Sequence, residues 1–296
     1  MVNWSSDYSR SLGLAAPVEV SGVGLHSGAT CCVQLRPSQT KGFFVGFLDE
    51  PHAPLVPLHP AQVRDTRLCT ALNLNGRPLA TVEHLLAALL GCGLTHVEIW
   101  LDGHEVPLLD GSALPWVEAM AATGLVDLGP RPSLQEVAAP ITLQQGDSFV
   151  MACPAERPLL SAAIEFPQAA IGRQLFSLVL TPEAFVREIA PARTFGFRDQ
   201  VDQLRAAGLI QGGGLDNALV CDGDQWLNPP LRFADEPVRH KLLDLIGDLA
   251  LVGLPCAQVM AFRGSHSLHT QLAAALAAAP SCLTALSGGQ ELTNVA

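Results

Sequence analysis

The segment from Pro237 to Val252 constrains this chain more than any other. It reads as a helix with a core stripe of Val238, Leu242, Leu245, Leu249 and Val252, flanked by Leu243, Ile246 and Ala250. A helix that is apolar on nearly every side is a buried one. Yet His240, Asp244 and Asp248 recur at i, i+4 and i+8, stacked along one face. Buried carboxylates need compensation, and a metal ion supplies it. Far upstream, Glu83 and His84 lie in a second helical segment, Thr81 to about Leu90, with Thr81 as its expected cap and Gly91 as its stop. Two histidines and one aspartate can hold a metal and leave a coordination position open for water, whose proton a neighbouring glutamate takes. On pattern alone, a buried hydrogen-bonded network or a plain solvent face accounts for the stripe equally well. Taken singly, Glu83-His84 reads as surface or cap chemistry.

Charge narrows the choice of partner. A net charge of −11 argues against nucleic acid, because phosphate-backbone binding needs a basic surface. A polyanionic small ligand remains compatible through a few local Lys or Arg side chains. With 49% hydrophobic and 15% charged residues over 296 positions, the chain can bury a sizeable core, and the length suits about two domains or one large one. The eight cysteines form no C-x-x-C pair; most sit among apolar residues and read as buried free thiols. Free thiols suit a reducing compartment. Residues 1–14 lack the apolar stretch of a signal peptide, and no apolar run reaches transmembrane length. A cytoplasmic protein without stable membrane insertion is expected.

The pattern repeats along the chain. Strands around the turn Gly22 to Gly28 lead to the Thr81 helix, a strand Val97 to Leu101, and a helix from a Ser112 cap to Ala122. Gly129-Pro130-Arg131-Pro132 reads as a linker. A hairpin about Gly146-Asp147 follows, then strands Ser161 to Phe166 and Leu175 to Leu180, and short helices over Pro182 to Ile189 and Asp199 to Ala207. Gly212 to Gly214 reads as a turn, since no Lys-Ser/Thr follows to make a phosphate loop. Next come the Pro237 helix, a strand Ala257 to Phe262, and a last helix from about Ser267 to Ala279. These elements predict an α+β fold of two similar domains, residues 1–129 and 133–280, each a β-sheet with two main helices. Residues 281–296 are expected to form a tail.

Taken together, GVGLHSG (22–28), RDTRLCT (64–70), TVEHLLAAL (81–89), EVPLLDGSA (105–113), ARTFGF (192–197), LDNALV (215–220), LRFADEPVRHKLLDLIGDL (231–249) and the Gly264-Ser265-His266 turn resemble the zinc-dependent UDP-3-O-acyl-N-acetylglucosamine deacetylases of lipid A synthesis. The resemblance runs from Gly22 to about Leu272. It implies helices packed between the two sheets, with small inserts shaping the active site and the Thr194 to Val220 region forming an apolar passage for an acyl chain. It implies His84, His240 and Asp244 as ligands of Zn2+, with Fe2+ suited to the same set. Glu83 would be the general base. Thr194 would stabilise the oxyanion, and His266, oriented by Asp248, would stabilise charge and protonate the leaving amine. Lys241 would steady the substrate near its diphosphate. Phe195, Arg263 and His26 would be further substrate contacts, and the chain is expected to act as a monomer. Four positions depart from the family pattern: Pro237 replaces an aromatic residue, Gly264-Ser265 reverses Ser-Gly, Thr95-His96 stands where Asn is common, and Ser148 stands where a basic residue is frequent.

Two rivals remain. A non-haem iron enzyme uses the same two-His-one-carboxylate set, but usually with an H-x-D spacing on a β-barrel, which this chain lacks. A non-catalytic sugar-nucleotide binding protein with a structural metal would usually close its site with four protein ligands. Glu83, Thr194 and His266 alongside the ligand set argue against it.

Overall fold

A computed structural model describes residues 3–279 of the chain. The expected tail 281–296 lies outside the described residues. Six α-helices occur within them: α1 (Glu83–Gly91), α2 (Leu114–Thr123), α3 (Pro182–Glu188), α4 (Arg198–Ala206), α5 (Glu236–Leu249) and α6 (His266–Ala278).

Two mixed sheets carry the same plan. In the first, of seven strands, Leu94–Leu101 lies between Arg10–Leu14 and Thr30–Pro37 and also pairs with Gly42–Phe47. In the second, of six strands, Pro255–Phe262 lies between Ser148–Pro154 and Leu159–Glu165. Each central strand directly follows a main helix, α1 or α5, and is followed by the other main helix of its half, α2 or α6. Strand Thr30–Pro37 alternates buried Cys31, Val33 and Leu35 with more exposed neighbours, so it packs one face against helices. α1 packs on Leu94–Leu101 and on α5, while α5 packs on Leu159–Glu165 and α6 on Ser148–Pro154. The helices therefore lie between the sheets, as the resemblance implies.

The α1–α5 crossing sets the position of everything at the site. Val238, Leu242, Leu243, Leu245, Ile246 and Leu249 are fully buried, so α5 runs through the core. Its Gly247 faces the first turn of α1, where an added Cβ would overlap the carbonyl oxygen of Glu83. That close approach brings Glu83 and His84 level with the polar face of α5. Gly247→Ala is expected to force the helices apart at a cost of about 1–3 kcal/mol, the usual penalty for overpacking a filled core. A lower denaturation midpoint would show it; an unchanged midpoint would mean the crossing has slack.

Several local expectations are corrected. Thr81 is not the cap of α1: its backbone is left-handed (φ +57) and its hydroxyl donates to Glu105 (3.0 Å), leaving Val82 before the helix with no side-chain cap. Gly91 is the last residue of α1 rather than the stop after it, and the chain turns at Gly93 (φ +83). α2 starts at Leu114 rather than after Ser112, whose hydroxyl accepts from the Leu114 N–H (3.2 Å) and from Arg232 (3.2 Å). The proposed linker is half strand: Leu125–Pro130 pairs with Arg10–Leu14 at the sheet edge. α5 stops at Leu249, three residues short of Val252. A small sheet of Val63–Asp65, Ala71–Leu74 and Arg77–Leu79 was not expected. The seven cysteines among the described residues are all free. No helix of the described residues is long and apolar enough to cross a membrane.

Candidate metal centre and active site

α5 is buried on its polar face too: His240, Asp244 and Asp248 are each at most 3% exposed. Across the crossing, His84 presents its ring edge-on to His240, with centroids 4.9 Å apart. One side-chain atom from each of His84, His240 and Asp244 lies within 4.8 Å of the others, close enough to share a metal ion. Asp244 Oδ1 is 3.3 Å from His240 Nε2 and 3.8 Å from His84 Nε2.

The donor chemistry fits a metal. His240 Nδ1 lies 3.0 Å from the Ala192 carbonyl, which can only accept, so Nδ1 carries the hydrogen and Nε2 offers its lone pair. Burial holds both imidazoles toward the neutral form, His84 down to about 3 and His240 below its usual range. Burial opposes ionisation of Asp244, but the Lys241 ammonium and His240 outweigh it and hold the carboxyl well below the usual range. Two neutral imidazoles and a carboxylate are the protonation states a divalent cation requires. His84 Nδ1 is buried with no partner among the described residues.

Glu83 and His266 flank this set. Glu83 is 3% exposed and accepts the Thr70 N–H at Oε2 (3.0 Å). Burial pushes its carboxyl up to about 7, against the pull of His266 and with the help of Asp248 and Asp244. His266 Nε2 stands 3.9 Å from Glu83 Oε1, and its Nδ1 donates to Asp248 Oδ2 (2.9 Å). Burial alone would lower the imidazole, but Asp248 and Glu83 hold it up at about 9. The turn before α6, with Ser265 capping the helix through the Leu268 N–H (3.3 Å), delivers His266 there.

Thr194 directly precedes, and Phe195 begins, the strand Phe195–Phe197, which pairs with Leu219–Asp222 around α4. The Thr194 N–H donates to the Gly111 carbonyl (2.8 Å), and Arg193 binds the fully buried Glu236 carboxylate at the start of α5 (2.8 Å). Those contacts tie Thr194 to both halves of the chain. The Phe195 ring lies 6.5 Å from the His240 ring. Beside it opens a largely apolar cavity of about 450 Å³, whose walls include Thr194, Phe195, Val201, Leu204 and Val220 with His26. His26 is held there by Glu105, which accepts its N–H (2.7 Å), while both ring nitrogens are buried without partners among the described residues.

Two expected residues are engaged differently. The Lys241 ammonium binds Asp244 Oδ2 (2.9 Å), neutralising a candidate ligand, and lies 5.9 Å over the Phe195 ring. The Arg263 guanidinium is bound to Glu165 (2.7 Å) and lies near Asp147 (3.7 Å), so a phosphate would have to compete with two carboxylates. Thr70, Glu105, Glu236 and His269 were missed as site residues. Thr70 lies within a quoted motif, but nothing in its spacing points at Asp248, 178 positions away. His269 could have been found, since it lies three residues after His266 on the same face of α6.

The profile of the family described as UDP-3-O-acyl N-acetylglycosamine deacetylase matches residues 12–278. A Thermosynechococcus vestitus protein named UDP-3-O-acyl-N-acetylglucosamine deacetylase is 53% identical over 270 residues, covering 89% of this chain and 93% of that one. A Syntrophotalea carbinolica protein of the same name is 38% identical over 284 residues, 95% of this chain and 92% of its own. An Arabidopsis thaliana relative whose name ends in "mitochondrial" is 40% identical over 283 residues, 88% of this chain and 86% of its own. The chain belongs to the UDP-3-O-acyl N-acetylglycosamine deacetylase family.

Proposed function

We infer that this protein hydrolyses the acetamide of UDP-3-O-(3-hydroxyacyl)-N-acetylglucosamine to acetate and the free 2-amino sugar nucleotide, an early step of lipid A biosynthesis. The observation that carries the reading is the convergence of His84, His240 and Asp244 in one buried place, with Glu83 and His266 on its flanks. His84, His240 and Asp244 would hold Zn2+, and Fe2+ suits the same ligands. The bound cation would supply Lewis-acid polarisation of the amide carbonyl and a more acidic water.

The chain's own groups do the rest. Glu83 takes a proton from the attacking water as its oxygen bonds to the carbonyl carbon. The Thr194 hydroxyl donates to the oxygen that gains charge. The C–N bond then breaks, and His266, protonated because Asp248 and Glu83 hold it so, gives a proton to the departing amine. Lys241 offsets the charge of Asp244. The cavity beside Phe195 takes the acyl chain, with His26 on its wall. Arg263 is a candidate phosphate contact only if Glu165 releases it.

The two sheets mark two halves that meet near residues 130–134, and each gives part of the ligand set. One chain therefore completes the site, which supports action as a monomer. The free thiols support a reducing compartment, the cytoplasm. Purified protein is expected to release acetate from the substrate, to stop when a chelator strips its metal, and to recover on adding Zn2+. Full activity of metal-free protein would overturn the metal assignment. Substitution of Fe2+ for Zn2+ during recovery compares the two cations.

A further inference from the structure

Asp248 accepts three hydrogen bonds, unequally shared between its oxygens. Oδ2 takes both His266 Nδ1 (2.9 Å) and His269 Nδ1 (3.0 Å), while Oδ1 takes the hydroxyl of Thr70. Asp248, His269 and Thr70 are all but sealed from solvent. His269 has nowhere else to go: its Nε2 is buried close against Gly264 with no partner among the described residues. A carboxylate turns readily about its last torsion, so one left to itself would give each imidazole its own oxygen. Two imidazoles crowd one oxygen here because the other is taken.

We propose that Thr70 is a positioning residue for the deacetylation: its hydroxyl pins Asp248, forces His266 and His269 onto one oxygen, and thereby aims His266 Nε2 at Glu83. The same residue holds Glu83 from the other side, since its N–H donates to Glu83 Oε2 (3.0 Å). Thr70 thus sets both groups that move protons in the function inferred above, on which this proposal rests. Without the hydroxyl, Oδ1 is a buried acceptor lacking its donor. The carboxylate turns to recruit an imidazole, and His266 swings from its place. A misplacement near 1 Å costs about 100-fold in rate.

The test compares wild type, Thr70→Val and Thr70→Ser for kcat, KM and bound metal. Val removes the hydroxyl and keeps the backbone N–H to Glu83; Ser keeps both. Thr70→Val is expected to lower kcat about 100-fold, with KM and metal content unchanged, and Thr70→Ser to restore kcat. In a His266→Ala background Thr70→Val should cost nothing further, because Thr70 acts through His266. Near-normal kcat in Thr70→Val, failure of Thr70→Ser to rescue, or a further full loss in the His266→Ala background would each overturn the proposal. Should Thr70→Val not fold, Thr70→Ala carries the same comparison. The His266 Nδ1 proton resonance reads the contact without turnover. It should move in Thr70→Val and stay in Thr70→Ser, so a wild type without deacetylase activity would sink the inferred function and still leave this contact testable.

Discussion

Glu83→Gln is expected to keep its metal and lose about 10²- to 10⁴-fold in kcat, the range that a positioned general base contributes. The glutamine is the better probe because it preserves shape and can still accept the Thr70 N–H, so no buried donor is orphaned. Glu83 lies outside the three-residue cluster that can hold the ion, although it adjoins His84 in the chain. Replacing it therefore removes proton transfer and leaves the ligand atoms in place. Metal analysis of the variant, run beside its steady-state kinetics, separates the two effects. Turnover near wild type would remove Glu83 from the role of base. Loss of metal together with turnover would make it a ligand or a ligand support.

His240→Ala is expected to abolish both metal binding and turnover. His240 is held by Ala192 through Nδ1 and faces Asp244 through Nε2. Its loss leaves a histidine and an aspartate already bound to Lys241, which is a poor set for a divalent cation. It also leaves a void on the buried face of α5. The decisive reading is thermodynamic: added Zn2+ should raise the melting temperature of wild type and leave that of His240→Ala unmoved. Equal metal-dependent stabilisation of both proteins would take His240 out of the ligand set.

Much of this arrangement is legible in the order of residues. The stripe His240, Asp244, Asp248 follows from helix periodicity; its burial does not, because a solvent-facing stripe fits the same pattern. The two-sheet plan is visible as a strand and helix order that occurs twice. What periodicity does not encode is which polar groups meet across the crossing. Thr81 reads as a cap because Thr before a leucine-rich run usually is one; its hydroxyl is instead drawn to Glu105, which also collects the N–H groups of His26 and Ser27. Thr70 and Glu236 carry no local mark of their roles, since their partners are Asp248 and Arg193, far off in sequence. The short strands between Val63 and Leu79 are too brief for an alternating pattern to stand out. Lys241 is the instructive case: its contact with Asp244 is an i, i+3 pair that helix geometry alone predicts, whereas the resemblance implied a diphosphate contact.

The meeting of α1 and α5 at Gly247 also decides how this chain tolerates changes in length. Loops at the sheet edges and in the inserts lie beyond that meeting point, so residues gained or lost there leave the ligand spacing alone. Within α5 the opposite holds. One residue inserted between His240 and Asp244 turns everything after it by about 100° around the helix axis. Asp244, Gly247 and Asp248 would then face three different neighbours at once. Natural variation in this chain should therefore collect as indels outside the two helices, with their register left unbroken.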